Sequence, residues 1–182
     1  MISLDKVKLC KEYIRYGARS TIAQVASGVT RKQAKRLYES MQNEPSASGR
    51  LPTRWSAFLR RCTNMQAPSQ KFLGLYHAQC GDRIFAHLAN WGVVEAYKAY
   101  LSIYAQDPVL IDLSLAWTLA RAISQQEEGC EIKNCHHCGQ LYVVKSHENP
   151  ICWLCIEAKE KSGFLLPVRS SGRAAAKLRN MA

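Results

Sequence analysis

The sequence predicts a mainly α-helical protein with a small cysteine-rich module near its C-terminus. Apolar residues recur every three or four positions over much of the first 124 residues, which is the period of an amphipathic helix. Four cysteines in two C-x2-C pairs follow this helical part. The 182-residue length has room for one compact domain and a small additional module, and a 47% hydrophobic content is enough to form a core.

The N-terminal residues predict a helix-turn-helix-like region. A first amphipathic helix is expected over about residues 4–17. Its inner face consists of Val7, Cys10, Tyr13 and Ile14. A short helix begins near Thr21 and is followed by a turn that contains Gly28. Thr30 is placed to cap a third helix at its N-terminus.

The third helix, over residues 31–41, separates apolar from basic side chains. Its apolar side carries Ala34, Leu37, Tyr38 and Met41. Its basic side carries Arg31, Lys32, Lys35 and Arg36. Such a helix can pack on its neighbours while its cations face a DNA groove, with Gln33 at the boundary as a candidate for base contact. The alternative is a solvated basic surface on an ordinary helix.

The charge distribution favours a polyanionic partner. The net charge is +11, and residues 1–66 hold 13 basic and 4 acidic side chains, a net of +9. Nucleic-acid phosphates attract such a surface, and binding releases their counterions. Simple solubility is the alternative explanation. The Pro-, Ser- and Gly-rich connector over residues 43–68 extends the basic charge through Arg50, Arg54, Arg60 and Arg61. A short helix in it is expected around Trp55, Phe58 and Leu59.

Residues 69–124 predict three helices, with breaks near Asn90-Trp91-Gly92 and Asp107-Pro108. In the last of them, Asp107 is the expected N-cap and Pro108 the first helical residue. This helix is apolar around most of its circumference, so it must be covered on several sides. The cover is either the core of this chain or another subunit.

The cysteine pairs are typical of a zinc-ribbon-like module. Cys135 and Cys138 form one pair, Cys152 and Cys155 the other, and 13 residues separate the pairs. Two such pairs supply the four thiolates of a closed tetrahedral zinc shell, which indicates a structural ion rather than a catalytic one. A redox dithiol is the alternative. Three further residues are possible substitute ligands: Cys130, His136 and His137. Three other cysteines are expected in the core: Cys10, Cys62 and Cys80.

Within this module, residues 140–144 alternate weakly like a strand, Asn149-Pro150 predicts a turn, and a short helix is expected over residues 153–159. The last segment, residues 159–182, is a basic tail. Its candidate phosphate contacts are Lys161, Arg169, Arg173 and Lys177. A free solvated tail is the alternative.

Other functional classes find little support in the sequence. It has no H-E-x-x-H motif and no glycine-rich phosphate loop, so we expect that the protein is not an enzyme. No apolar stretch approaches the ~20 residues of a membrane span, and residues 1–6 lack the features of a secretory signal. We therefore expect a cytoplasmic protein. An adaptor that binds proteins through a zinc ribbon, without touching DNA, remains the alternative function.

The expected regions are residues 1–66, a helix-turn-helix-like region with its connector, and residues 67–129, a helical core and subunit interface. The zinc module (130–158) and the basic tail (159–182) follow.

Several short segments carry a resemblance to a known family, and they occur in order over about residues 12–158. They are Tyr16-Gly17-Ala18-Arg19, Val29-Thr30-Arg31, Lys35, Leu37-Tyr38, Gly49-x-Leu51-Pro52, Ala116-Trp117-Thr118-Leu119-x-Arg121 and the two C-x2-C pairs. Together they resemble the FlhC family of bacterial flagellar transcriptional activators. The resemblance implies a DNA-binding subunit that holds zinc through the four paired cysteines. It also implies a heterohexamer of four FlhD and two FlhC subunits that binds upstream of flagellar operons and assists RNA polymerase.

Overall fold

A computed structural model of the chain describes residues 3–46, 63–127, 131–144 and 151–162. These residues are mainly helical, as the sequence predicts. The elements are α1 (Leu4–Arg15), α2 (Ser20–Ser27), α3 (Arg31–Gln42), α4 (Gln66–Cys80), α5 (Asn90–Tyr104), α6 (Leu113–Ser124), β1 (Glu131–Asn134), β2 (Leu141–Val144) and α7 (Trp153–Ser162). Short 3-10 helices flank α4 at Thr63–Met65 and Gly81–Phe85. The helix expected near Trp55, most of the basic connector and the Asn149-Pro150 turn lie outside the described residues.

The first three helices form the predicted helix-turn-helix arrangement. Helix α1 ends at Arg15, two residues before the predicted end, and buries Leu9, Cys10, Tyr13 and Ile14. Helix α2 stops at Gly28, whose left-handed backbone (φ +69°) suits a residue without a β-carbon. The chain then turns through Val29 into α3. The turn and the two helices around it therefore follow the sequence prediction.

Thr30 caps α3 as predicted. Its hydroxyl oxygen accepts a hydrogen bond from the Gln33 backbone N–H at 3.4 Å, and Gln33 Oε1 accepts one from the Thr30 backbone N–H at 3.0 Å. This reciprocal pair is a capping box, which satisfies two N–H groups at the helix start. Along α3, Ala34 is buried, and the other residues of the predicted apolar side are packed against the core.

The start of the third central helix was predicted wrongly. Helix α6 begins at Leu113 rather than at Pro108, because Asp112 is its N-cap: Asp112 Oδ1 accepts the Leu115 backbone N–H at 2.6 Å. The carboxylate of Asp107 instead binds Lys71 Nζ of α4 at 2.7 Å. The preceding break lies just before Asn90, which is the first residue of α5.

Helix α6 is the centre of the core. Ten of its twelve residues are buried, and α4, α5 and the 3-10 segment Gly81–Phe85 pack against it. Of the two covers considered for this apolar helix, the chain itself provides one for these ten side chains, and the predicted subunit interface stays a prediction.

One hydrophobic core connects the N-terminal helices to the central ones. Asn90 joins them through polar contacts: its backbone oxygen accepts from the Tyr13 hydroxyl at 3.2 Å, and its Oδ1 accepts from Trp117 Nε1 at 3.0 Å. On the surface, Lys98 Nζ binds Glu12 Oε2 of α1 at 3.1 Å. The helix-turn-helix is thus held against α5 and α6 by both apolar and polar contacts.

Candidate metal centre and nucleic-acid interface

A β-hairpin and the start of α7 position the four paired cysteines. Strands β1 and β2 are antiparallel, with Asn134 opposite Leu141. The first cysteine pair lies in the loop between them, where the Cys135 backbone N–H donates to the Gln140 oxygen at 2.9 Å. Gly139 closes this loop with a φ of +76°, a conformation that favours glycine. The second pair lies at the N-terminal end of α7, near the predicted helix over 153–159. Strand β1 was not predicted.

The four sulfur atoms form a compact cluster. All of them lie within 4.8 Å of one another. Cys135 Sγ is 3.9 Å from Cys155 Sγ, and Cys138 Sγ is 3.7 Å from Cys152 Sγ. A tetrahedral ion with metal–sulfur bonds of about 2.3 Å has sulfur–sulfur edges of about 3.8 Å. The cluster therefore has the size and ligand count that a tetrahedral metal ion needs, and the four cysteines are placed to hold one.

Backbone N–H groups surround Cys135. Its Sγ accepts from the N–H of Cys152 at 3.3 Å and from the N–H of His137 at 3.4 Å. Burial raises the pKa of the Cys135 thiol, but these bonds and one from Cys138 outweigh it and lower the pKa to about 6. Burial instead raises the pKa of Cys138 and of Cys155, the latter further through its neighbours Cys152 and Cys138. One thiolate is thus favoured in advance, and a bound cation would stabilise the others.

The two described candidates for substitute ligands, His136 and His137, do not join the cluster. His137 Nδ1 lies 3.5 Å from Cys155 Sγ and is a hydrogen-bond partner of that sulfur, while His136 is exposed. Cys130 and Cys62 lie outside the described residues. Cys10 is buried, as expected of a core cysteine, and Cys80 is half-buried.

The metal module, which consists of β1, β2, the four cysteines and α7, is joined to the helical core. Val143 of β2 is buried in the main core, and Ile132 of β1 packs against it. A small cleft remains where the module meets the helices. It is lined by Gln66, Ser69, Gln70, Leu73, Leu119, Val143 and Trp153. Gln70 is 3% exposed, and neither polar atom of its side chain makes a hydrogen bond within the described part of the chain.

The α3 basic surface consists of the exposed side chains of Arg31, Lys32, Lys35 and Arg36. Lys35 Nζ lies 3.6 Å from Glu39 Oε1, an exposed pair one helical turn apart. In the described residues, the other three cations make no ion pair. These four predicted side chains therefore stand together on the solvent side of the second helix of the helix-turn-helix.

In the structure Gln33 takes part in the capping box, and its expected base contact stays a prediction. Its Oε1 already accepts from both the backbone N–H and the hydroxyl of Thr30, each at 3.0 Å. A bidentate contact to adenine needs the amide oxygen as well as the amide nitrogen. Such a contact is therefore available only if the capping box opens. The capping-box spacing was itself visible in the sequence, since a threonine is followed three residues later by a glutamine.

Most of the basic tail (159–182), which carries the other candidate phosphate contacts, lies outside the described residues. Lys161 lies within α7, but its side chain is outside the description, as are Arg169, Arg173 and Lys177. Among the helices that are described, none combines the length and apolar character needed to cross a bilayer.

Comparison with known proteins gives a consistent result. The family model of the flagellar transcriptional activator (FlhC) matches residues 1–162. The flagellar transcriptional regulator FlhC of Proteus mirabilis is 27% identical over 159 residues, covering 82% of this chain and 77% of its own length. The regulator of the same name from Sodalis glossinidius is 28% identical and covers 82% of this chain and 74% of its own length. The one from Paraburkholderia atlantica is 26% identical and covers 85% of this chain and 71% of its own length. Because the family model spans most of the sequence, the chain belongs to the FlhC family of flagellar transcriptional activators.

Proposed function

We propose that this protein activates flagellar transcription by binding promoter DNA through its helix-turn-helix. The observation that carries the proposal is the α3 basic surface, which places four exposed cations on the helix that follows the turn. In this motif the second helix enters the major groove. Three of the four cations make no ion pair in the described residues, so only Lys35 would have to leave an internal partner, Glu39, to contact DNA.

Within this proposal the cations have two kinds of task. Lysine and arginine contacts to phosphates position the protein and make its affinity salt-dependent, whereas contacts to base edges discriminate sequence. We assign base contact to Arg31 and Lys35, which stand one helical turn apart on the same side of α3. Lys32 and Arg36 are assigned to phosphates, together with Lys161, Arg169, Arg173 and Lys177 of the tail. Gln33 contributes mainly by fixing the first turn of α3.

We further propose that the protein works in a heterohexamer of four FlhD and two FlhC subunits that assists RNA polymerase upstream of flagellar operons. The relatives that support this proposal are transcriptional regulators of flagellar genes. Co-expression with the FlhD protein of the same host, followed by affinity purification and mass measurement of the complex, tests the assembly. A complex of the stated composition would support it, and a chain that purifies alone would contradict it.

The ion held by the four cysteines is proposed to be one structural zinc. A closed shell of four thiolates suits zinc, and no ligand position is left for a reacting water. Elemental analysis of the purified full chain should give one zinc per chain. The variant that combines Cys135→Ser and Cys152→Ser should lose it, and retention of zinc by this variant would refute the ligand assignment.

DNA binding is tested by a salt series on two duplexes, one carrying a flagellar promoter region of the host and one of scrambled sequence. Replacing Arg31 or Lys35 by alanine should cost about 1–3 kcal/mol on the promoter if the side chain makes a bidentate base contact. The preference for the promoter over the scrambled duplex should fall with it. Lys11→Ala is the matched control, because Lys11 is exposed on α1 and outside the proposed surface.

Two outcomes would overturn this proposal. If the purified complex has no affinity for either duplex, the protein acts without DNA contact, as the protein-binding zinc-ribbon adaptor would. If Arg31→Ala and Lys35→Ala, singly and together, leave promoter affinity unchanged, the complex binds DNA through another surface.

A further inference from the structure

Lys6 occupies an unusual position on α1. It precedes the buried Cys10 by four residues and the buried Tyr13 by seven, a spacing that places all three on one side of the helix. That side faces the core, yet Lys6 is exposed because it lies in the first turn of α1, beyond the packed part. An apolar residue would continue the stripe here, and the chain has a lysine instead.

The side chain of Lys6 lies against the turn of the helix-turn-helix. A β-carbon at Gly28 would be 3.8 Å from Lys6 Nζ and 3.9 Å from Lys6 Cε, and no other heavy atom outside the immediate chain would be as close. Gly28 ends α2 and stands two residues before Thr30, the N-cap of α3. The Lys6 ammonium is therefore held beside the start of the helix that carries the α3 basic surface.

Inside the described part of the molecule, the Lys6 ammonium has only the weak attraction of the C-terminal end of α2, beside which it lies. None of the ion pairs there involves Lys6, although Glu12 of the same helix binds Arg15 and Lys98. Lys8 and Lys11 are also exposed on α1, but their positions lie roughly opposite the core-facing side. Lys6 is thus the cation of α1 that the fold directs toward the turn and α3.

We propose that Lys6 contacts a DNA backbone phosphate next to the strand segment read by α3. The proposal rests on the proposed function and extends its surface from one helix to two. An ammonium is a compact charge that suits a phosphate contact without sequence discrimination. The absent side chain at Gly28 leaves the turn open, so that the backbone of a duplex can approach the ammonium held there.

The test uses the full chain in complex with its FlhD partner and the same promoter and scrambled duplexes. Lys6→Met keeps an aliphatic side chain of similar length and removes the charge, whereas Lys6→Arg keeps the charge. For one lost phosphate contact, the slope of log affinity against log salt should become less negative by about 0.9. The affinity of Lys6→Met for both duplexes should fall about fivefold to tenfold at ~0.1 M salt. Lys6→Arg should bind like the wild type.

Lys11→Met is the matched control, since it removes the same charge from the opposite side of α1 and should leave the salt slope unchanged. The inference is wrong if Lys6→Met binds and responds to salt like the wild type. It is also wrong if Lys6→Arg loses as much affinity as Lys6→Met, because the loss then stems from packing. Weaker binding of Arg31→Ala with unchanged binding of Lys6→Met would refute this inference alone. A wild-type complex that binds no DNA would refute both this inference and the proposed function.

Discussion

Replacing Gln70 by methionine should stabilise the protein. Gln70 lies in α4, where it faces the cleft between the central helices and the metal module. Both polar atoms of its side chain are buried without a hydrogen bond in the described residues. Methionine has a similar length and shape and no polar group, and the apolar neighbours Leu73, Leu119 and Val143 would accept it.

The magnitude follows from the amide that is removed. An unpaired buried polar group costs about 1–3 kcal/mol, so the free energy of unfolding should rise by about that amount in Gln70→Met. For a chain of this size, each kcal/mol moves the melting temperature by about 2–4 °C. Urea unfolding followed by circular dichroism measures the free energy, and a thermal scan at fixed metal concentration gives the second value.

Gln79→Met is the matched control, because Gln79 is exposed on the same helix and should change stability by no more than about 0.5 kcal/mol. A Gln70→Met variant that is less stable than the wild type would refute the reasoning. The amide would then have partners in solution that outweigh the burial of the methionine side chain.

Three other perturbations test separate parts of the account. Thr30→Ala removes the hydroxyl of the capping box and should lower the free energy of unfolding in urea by about 1 kcal/mol. Thr21→Ala, at an exposed position of α2, should lower it by less, and equal losses would contradict the capping role of Thr30. Chelation of the metal should make the four cysteine thiols reactive toward a thiol reagent. Most of the far-ultraviolet helical signal should remain, because α1–α6 have their own core, and loss of the whole signal would contradict this expectation. Burial raises the pKa of Tyr76 and Tyr97 to about 12, above the value of about 10 in an unfolded chain. Their neutral forms therefore stabilise the fold fully below pH ~10, and this contribution is lost as the pH rises toward about 12. Absorbance of tyrosinate recorded during an alkaline titration should reach its full amplitude only when the chain unfolds, and full amplitude near pH ~10 in the folded protein would oppose this expectation.

Local signals in the sequence were sufficient for the N-terminal helices and the cysteine cluster. Thr30 and Gln33 are three residues apart, and the two cysteines within each pair have the same spacing, so local backbone geometry brings these groups together, while the hairpin and α7 bring the two cysteine pairs together. The start of α6 was mispredicted because both Asp107 and Asp112 are good N-caps, and only the tertiary pairing of Asp107 with Lys71 decides between them.

Contacts between distant segments could not be predicted. Gln70 meets Val143 and Trp153 only after the metal module packs on α4 and α6. A lysine on the apolar side of a helix, as at position 6, is visible in the sequence. Its position beside Gly28, however, depends on how α1 packs against the α2–α3 turn. Strand β1 was missed because Glu131-Ile132-Lys133-Asn134 has three polar residues and becomes a strand by pairing with β2.

Activation of flagellar transcription through the α3 basic surface, as proposed above, can be measured by transcription in a purified system. It requires the RNA polymerase of the host, a flagellar promoter template and the complex of this chain with the proposed FlhD partner. We expect the wild-type complex to raise the amount of promoter transcript. The double variant Arg31→Ala with Lys35→Ala should not raise it, although it assembles and holds its metal. Equal activation by the wild-type and double-variant complexes would contradict the claim.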